Sequence, residues 1–324
     1  MAHHTFLPKR YHYTFGPHTP ELSIVSGDTL TTRTRDCRGQ DGERNPLPEN
    51  MKPSAAGTDF QQSNPVVGPI VVKDARRGDC LRVHIDRITI DRDYGMSKQN
   101  ARFGSLTGEW PGHPMHYPAP IETRFFDWKI DPERLVGTLL LPNSKLTKVE
   151  VPLVPFIGSI GVAPPMGRVE TTMTPGEFGG NMDYRGLTEG VSLYLPVWVD
   201  GGYLGFGDVH ALQGDGETNG TAVEVSAEVS LTVEVVKNKK IGWPRAENED
   251  YLIVLGSARP LEDCVRLAMF ELLLWLVDDY GFEREEAWQL MGQLGRLDIA
   301  NVVDPAYTVA AKFPKRYLPR PSVT

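Results

Sequence analysis

Cysteine is scarce: Cys37, Cys80 and Cys264 are the only three in 324 residues. An odd, widely spaced set makes neither a disulfide framework nor a zinc-knuckle spacing, and a reducing, cytoplasmic location is the expectation. Positive charge is also in deficit, since 34 Lys and Arg stand against 42 Asp and Glu, a net charge of -8. No basic cluster stands out, and a nucleic-acid footprint needs a basic stripe, so nucleic acid is not an expected partner. Long apolar runs are missing. The most apolar stretch of the C-terminal third, "LAMFELLLWLV", is bracketed by charges and falls short of the roughly 20 residues that span a bilayer. The opening "MAHHTFLPKRYHY" has no apolar stretch of the signal-peptide kind. No membrane association is expected. The chain also has no P-loop, no dinucleotide-binding fingerprint and no G-x-S-x-G elbow.

What it does have is punctuation. The 26 Pro and 32 Gly separate short runs rich in Val, Ile, Leu and Thr, the pattern of an all-β architecture with many turns. "PIVVKDARRGDCLRVHIDRITI" reads as two strands joined at "ARRGD", and "GVSLYLPVWVDGGYLGFGDVH" as a hairpin turning at "DGG". From Val223 to Val235 apolar residues take every odd position, while Glu224, Ser226, Glu228, Ser230, Thr232 and Glu234 take the even ones. Period two sends the odd row to a core face and the even row to water. The segments 36–65 and 96–120 read as long, turn-rich loops. After about residue 240 the period changes. Leu261, Val265, Ala268, Leu272, Trp275 and Leu276 recur at helical spacing, with Gly281 placed to cap the end. "EREEAWQLMGQL" carries acids where a second helix begins. The fold class expected is mainly β, with β-sandwich-like sheets and a smaller α/β C-terminal section. The division expected is 1–240 for the β-rich core carrying the site and 241–324 for the section packed on it.

Candidate chemistry concentrates in "GDVHALQGDGE", residues 207–217. Asp208 and His210 are two apart on a strand end, so their side chains share a face. Carboxylate plus imidazole is a ligand set for a zinc-type ion, although a lone histidine also serves structural roles. Asp215 and Glu217 flank Gly216, in a loop that glycine can bring close to a ligand; a solvated D-G turn explains the same letters. In "GEFGGNMDYRG", Gly179 and Gly180 precede Asn181 and Asp183, a turn signature that can also supply an amide donor and a carboxylate to a pocket. Asp36, in "TRDCRG", ends an alternating run.

Together these stretches resemble the acetamidase/formamidase family. The resemblance runs through "GDTLTTRTRDCRGQDG", "NPVVGPIVVKDARRGD", "PFIGSIGVAP", "GGNMD", "GDVHALQGDGE" and "EREEAWQLMGQLGRLDIANVVDP", in order and along almost the whole chain. It implies hydrolysis of a small aliphatic amide, of formamide or acetamide type, to carboxylate and ammonia, with a divalent metal, zinc or alternatively calcium. Carried onto matched positions, it makes Asp36, Asp183, Asp208 and His210 metal ligands. Glu217, Asp215 and Asn181 become catalytic residues, and Gly179 and Gly180 bind substrate. Glu217 is expected as the acid/base and Asn181 as an oxyanion donor, in a small, tight pocket. Residues 92–125 match the family less well, which puts substrate choice in question if they wall the pocket. Two other readings stand beside this one: a non-catalytic β-sandwich module that binds a metal, and an amidase whose nucleophile is Cys37 or Ser159. A homo-oligomer is expected because enzymes of this size are commonly symmetric assemblies.

Overall fold

The longest regular alternation becomes the strand Ala227–Val236, whose odd residues Ala227, Val229, Leu231 and Val233 are buried. The computed structural model describes residues 1–48, 51, 63–100, 103–106 and 122–319. Among these, two large sheets dominate, so the chain is mainly β as expected. One is nine-stranded, in the spatial order His3–Thr5, Asp28–Arg33, Ala227–Val236, Cys80–Ile90, Ser192–Pro196, Arg245–Glu247, Tyr251–Ala258, Tyr307–Pro314 and Arg296–Asn301. The other is eleven-stranded, and its path includes Arg124–Asp131, Tyr94–Gln99, Val223–Val225, Leu204–Leu212, Phe156–Gly161 and Gly179–Asn181. Val83, Ile85, Leu193, Leu231 and Val233 from the first sheet share one continuous apolar core with Ile70, Ile157, Ile160, Phe206 and Val209 from the second.

The two strands expected on either side of "ARRGD" are present and lie in different sheets, while the hairpin expected at "DGG" is a bridge between sheets instead. Val66–Val72 pairs with Leu204–Leu212 in the larger sheet, while Cys80–Ile90 pairs with Ala227–Val236 and Ser192–Pro196 in the smaller. "DGG" likewise joins Ser192–Pro196 in one sheet to Leu204–Leu212 in the other. An arch between sheets and a hairpin within one need the same polar, glycine-bearing turn, so only distant partners distinguish them. The long alternating run also divides. Val223–Val225 belongs to the larger sheet, and after Ser226 the strand Ala227–Val236 belongs to the smaller. Part of the expected 96–120 loop is the strand Tyr94–Gln99, paired with Arg124–Asp131; residues 101–102 and 107–121, and 49–50 and 52–62 of the earlier loop, lie outside the described residues.

The helix Leu261–Tyr280 ends at Gly281, whose φ of 69° lets its N–H reach back to the last turn. Its face of Ala268, Leu272 and Leu276 packs on Leu252, Val254, Ala311 and Phe313. The neighbouring Ile253 and Leu255 face the sandwich core, so the strand Tyr251–Ala258 is buried on both sides. The nine-stranded sheet therefore runs without a break across residue 240, because Arg245–Glu247 bonds to Ser192–Pro196 on one side and Tyr251–Ala258 on the other.

Candidate active site

The strand Leu204–Leu212 is buried almost throughout, although it carries Asp208 and His210. One edge pairs with Phe156–Gly161. The other edge changes partner: Leu204, Phe206 and Gly207 pair with Val66–Val72, and Val209, His210 and Leu212 with Val223–Val225. Asp208 sits at the changeover with φ of 52°. Asn64, Asp183 and Glu217 also hold positive φ, at 57°, 43° and 48°. Left-handed backbone is costly for residues other than glycine and gathers where function requires it. Here all four converge on one point.

That point collects five buried carboxylates, Asp183, Asp208, Glu217, Glu224 and Asp304, around the single imidazole of His210. Glu224 stands directly opposite His210 across the strand pair. His210 Nε2 lies 3.4 Å from Asp208 Oδ1 and 3.5 Å from Glu224 Oε2, and Nδ1 lies 4.0 Å from Asp183 Oδ1. Three other oxygens, one each of Asp208, Asp183 and Asp304, are held by side-chain amides. Asn64 Nδ2 donates to Asp208 Oδ2 at 2.8 Å. Asn181 Nδ2 donates to Asp183 Oδ2 and Asp304 Oδ2, both at 2.8 Å. Asn301 Nδ2 donates to Asp304 Oδ2 at 2.6 Å. Gly158 makes room beneath: a Cβ there would stand 2.8 Å from Asp183 Oδ1, from the Asp208 carbonyl oxygen and from His210 Cε1.

So much negative charge out of water shifts the titration of several of these groups. Burial pushes Glu224 up to about 7, with the charges of Asp208 and Asp36 adding to the rise and His210 opposing it. Burial likewise raises Asp304 to about 7, against the hydrogen bonds from Asn181 and Asn301. Asp183 and Glu217 are both driven well above the carboxylate range by burial first and by their acidic neighbours next. For His210, burial favours the neutral ring, but the charges of Glu224 and Asp208 outweigh it and raise the imidazole to about 10. Four carboxylate oxygens, Asp183 Oδ1, Asp208 Oδ1, Glu224 Oε2 and Asp304 Oδ1, are buried without a hydrogen-bond partner among the described residues. Unpaired buried acceptors are expensive. Two groupings, Asp183–His210–Glu217 and Asp208–His210–Glu224, bring one ligand atom per residue to within 4.8 Å of one another. Oxygen donors with one imidazole nitrogen suit a divalent, zinc-type ion better than calcium.

The other sequence-selected residues fall differently. Asp36 is buried close by, but its carboxylate is taken: Oδ2 by Arg92 Nη1 at 2.9 Å, and Oδ1 by the N–H groups of Arg38 and Gln40. It has no share in either grouping. Asp215 points to solvent and accepts from Arg185 Nε at 2.7 Å, while Glu217 in the same short turn points inward. Gly179 and Gly180 shape a tight hairpin on Phe156–Gly161. A Cβ at Gly179 would meet Ile160 O at 2.3 Å, and one at Gly180 would meet Thr174 O at 2.3 Å. Neither is among the residues lining the cavity. Asn181 does line it, but both its amide hydrogens are spent on Asp183 and Asp304, which leaves none for an oxyanion. Asn64, Gln213, Glu224, Asn301 and Asp304 went unrecognised in the sequence. Glu224 had a signal, because a hairpin centred on Glu217 places it opposite His210. Asp304 lay within the matched "ANVVDP", with nothing local to mark it.

The cluster forms the floor of a cavity of about 660 Å³, larger than the small, tight pocket expected. Met96, Phe103, Phe125, Met173 and Pro305 supply apolar walls, and Arg38 and Lys98 also line it. The described part of residues 92–125 thus does contribute to the wall.

Known proteins share this architecture. Residues 166–316 match the acetamidase/formamidase family. The crystal structure of an acetamidase from Yersinia enterocolitica superposes with a TM-score of 0.82 and is 35% identical, over 98% of this chain and 93% of that one. An acetamidase from Bacillus halodurans superposes at 0.79 with 29% identity, over 97% and 98% of the two chains. A formamidase of Methylophilus methylotrophus is 42% identical over 74 residues, a match that spans only 18% of its length. With a full-length structural relative above 30% identity and the family's own pattern across the segment that holds Asn181, Asp208, His210, Glu217 and Asp304, this chain belongs to the acetamidase/formamidase family.

Proposed function

We propose that the chain is a metal-dependent amidohydrolase, which cleaves the C–N bond of a small linear amide to give a carboxylate and ammonia. The observation that carries this reading is the cluster at the floor of the cavity, where five buried carboxylates surround one imidazole and four oxygens lack hydrogen-bond partners among the described residues. His210 and two of these carboxylates would hold a divalent cation, which would offset part of that charge. When bound, it supplies Lewis acidity and a water of lowered pKa. Glu217 suits proton transfer. It lines the cavity, its backbone N–H and carbonyl are tied to Gly214 and Gly220, and burial followed by its acidic neighbours raises its pKa above the ordinary carboxylate range. It takes one proton of the attacking water and returns it to the departing nitrogen, so that water and amide become carboxylic acid and ammonia, and the acid's proton passes on to give carboxylate and ammonium. The polar floor binds the amide head, and the methionine and phenylalanine walls face an alkyl tail.

A side-chain nucleophile fits less well. The Cys37 thiol is pushed far up, by burial and then by the charges of Glu224 and Asp36, the reverse of what an attacking thiolate needs. Ser159 is fully buried, and its hydroxyl donates to Asn181 Oδ1. The test is ammonia release from a series beginning at formamide and acetamide, before and after chelation. Turnover is expected to vanish with the metal and return with zinc. Turnover that survives chelation but not a thiol reagent overturns this reading in favour of Cys37. No ammonia from any linear amide overturns it in favour of a binding module.

A further inference from the structure

We propose that Gln213 fixes the His210 ring as the Nδ1–H form, which assigns the cation to Asp208, His210 Nε2 and Glu224 and leaves the Asp183–Glu217 side of the ring for proton transfer. The inference rests on the metal-dependent reading above and decides between the two groupings that share His210.

A neutral imidazole has one lone pair, so it ligates one ion through one nitrogen. The side chain of Gln213 determines which. Its Nε2 lies 2.7 Å from the carbonyl oxygen of Asp183 and 3.0 Å from that of Ala300. Carbonyl oxygens only accept, so the amide's NH2 group must face them; the flipped amide would set three acceptors together. The Oε1 of Gln213 therefore faces His210 Nδ1, at 3.2 Å. That oxygen can only accept, so Nδ1 carries the hydrogen. The lone pair is left on Nε2, pointing at Asp208 Oδ1 and Glu224 Oε2, the two orphaned oxygens 3.4 and 3.5 Å away. A tetrahedral ion with bonds of about 2.0–2.1 Å holds its ligand atoms about 3.4 Å apart. Asp183 Oδ1 is at 4.0 Å, beside the nitrogen that bears the hydrogen.

The fold supplies the means. In a regular strand, residue 213 would face away from residue 210. The pairing register shifts between His210 and Leu212, and such a bulge re-aims a side chain. Gln213 returns beneath the ring, anchored to two carbonyls from separate segments. The edge-on contact of Phe156, with ring centroids 5.0 Å apart, packs against the imidazole. Gln213 is thus a positioning residue, acting on the metal through His210.

Long-range 1H–15N spectra of protein labelled at histidine nitrogens, taken with zinc bound and after chelation, read this directly. His210 is expected to keep its Nδ1 hydrogen in both states and to carry zinc on Nε2. Zinc bound to Nδ1 overturns the proposal, as does a metal-free ring that lacks the Nδ1 hydrogen at a pH above its raised pKa, where it is neutral. Gln213→Leu should lose the fixed tautomer and weaken zinc binding about 10- to 100-fold, the usual effect of removing such a support. Asp208→Asn and Glu224→Gln should each lose zinc, whereas Asp183→Asn should keep its affinity within a few-fold; equal losses in all three overturn the assignment. If no divalent ion binds the native protein, the metal-dependent reading fails and the triad with it, while the spectrum of the metal-free ring, taken at a pH above its raised pKa where it is neutral, still reports whether Gln213 sets the tautomer.

Discussion

Glu224 stands in the polar row of an alternating run, which predicts a solvated side chain, yet it is only 2% exposed. Period two tells which residues share a face, not whether that face meets water. Here the strand Val223–Val225 pairs with Tyr94–Gln99 and Leu204–Leu212, and the polar face is roofed by the site. Glu217 illustrates the converse. Its place as an acid at the end of a glycine loop marks it as a candidate, and it is buried and lines the cavity, whereas Asp215, two residues earlier and chemically alike, is tied to Arg185 at the surface. A residue-scale prediction follows from that contrast. Glu217→Gln is nearly isosteric but cannot accept a proton, so kcat should fall by at least about a hundredfold, the lower end for general acid–base catalysis, with bound metal unchanged. Asp215→Asn should stay within a few-fold of the native rate. Ammonia release and metal content on the same preparations check both.

At the scale of elements, the site depends on one strand that exchanges neighbours. Leu204–Leu212 leaves Val66–Val72 and joins Val223–Val225 at Asp208, and the second neighbour is secured by Arg92. This arginine, in the turn between Cys80–Ile90 and Tyr94–Gln99, bonds the Glu224 carbonyl oxygen at 2.9 Å through Nη2 and the Asp36 carboxylate at 2.9 Å through Nη1. Asp36 therefore serves the site at one remove, clamping the residue that holds Glu224 in place. Arg92→Leu leaves Asp36 buried and uncompensated, so it should destabilise the fold by about 3–5 kcal/mol. Adding Asp36→Asn should recover part of that loss, because the stranded charge is gone. Urea unfolding of the two variants measures it, and a loss below 1 kcal/mol for Arg92→Leu would contradict the clamp.

For the whole molecule, the cluster links stability to pH and to metal. Glu224 and Asp304 ionise near 4.5 and 3.8 when unconstrained and are raised to about 7 in the fold. Between those values the unfolded chain holds fewer protons than the native one, so stability falls as pH rises through the window. His210 is raised from 6.5 to about 10; its contribution is complete below 6.5 and is lost as pH climbs toward 10, which is the same direction. In chelator, Tm should therefore be lower near pH 8 than near pH 5.5. Zinc should raise Tm more at the higher pH, where Glu224 is already deprotonated and fewer protons compete with the ion. A metal-free Tm that increases over this interval contradicts the buried-cluster account.

The amino-acid order determined a mainly β chain with a helical C-terminal part, because period two, period 3.6 and glycine or proline punctuation are local properties of the backbone. It also determined the family likeness and a nucleus of site residues in Asn181, Asp183, Asp208, His210 and Glu217, where unusual letters stand close together. The tertiary structure decided the rest. Whether a turn closes a hairpin or crosses between sheets depends on partners more than a hundred residues away, as with Ala227–Val236 and Cys80–Ile90. Whether a carboxylate is a ligand, a clamp or a surface charge depends on what faces it: His210 for Glu224, Arg92 for Asp36, Arg185 for Asp215. Gln213 is the sharpest case. Its sequence neighbourhood says only that a polar residue follows a strand, while two carbonyls from distant segments orient its amide and thereby choose the nitrogen on which His210 keeps its lone pair.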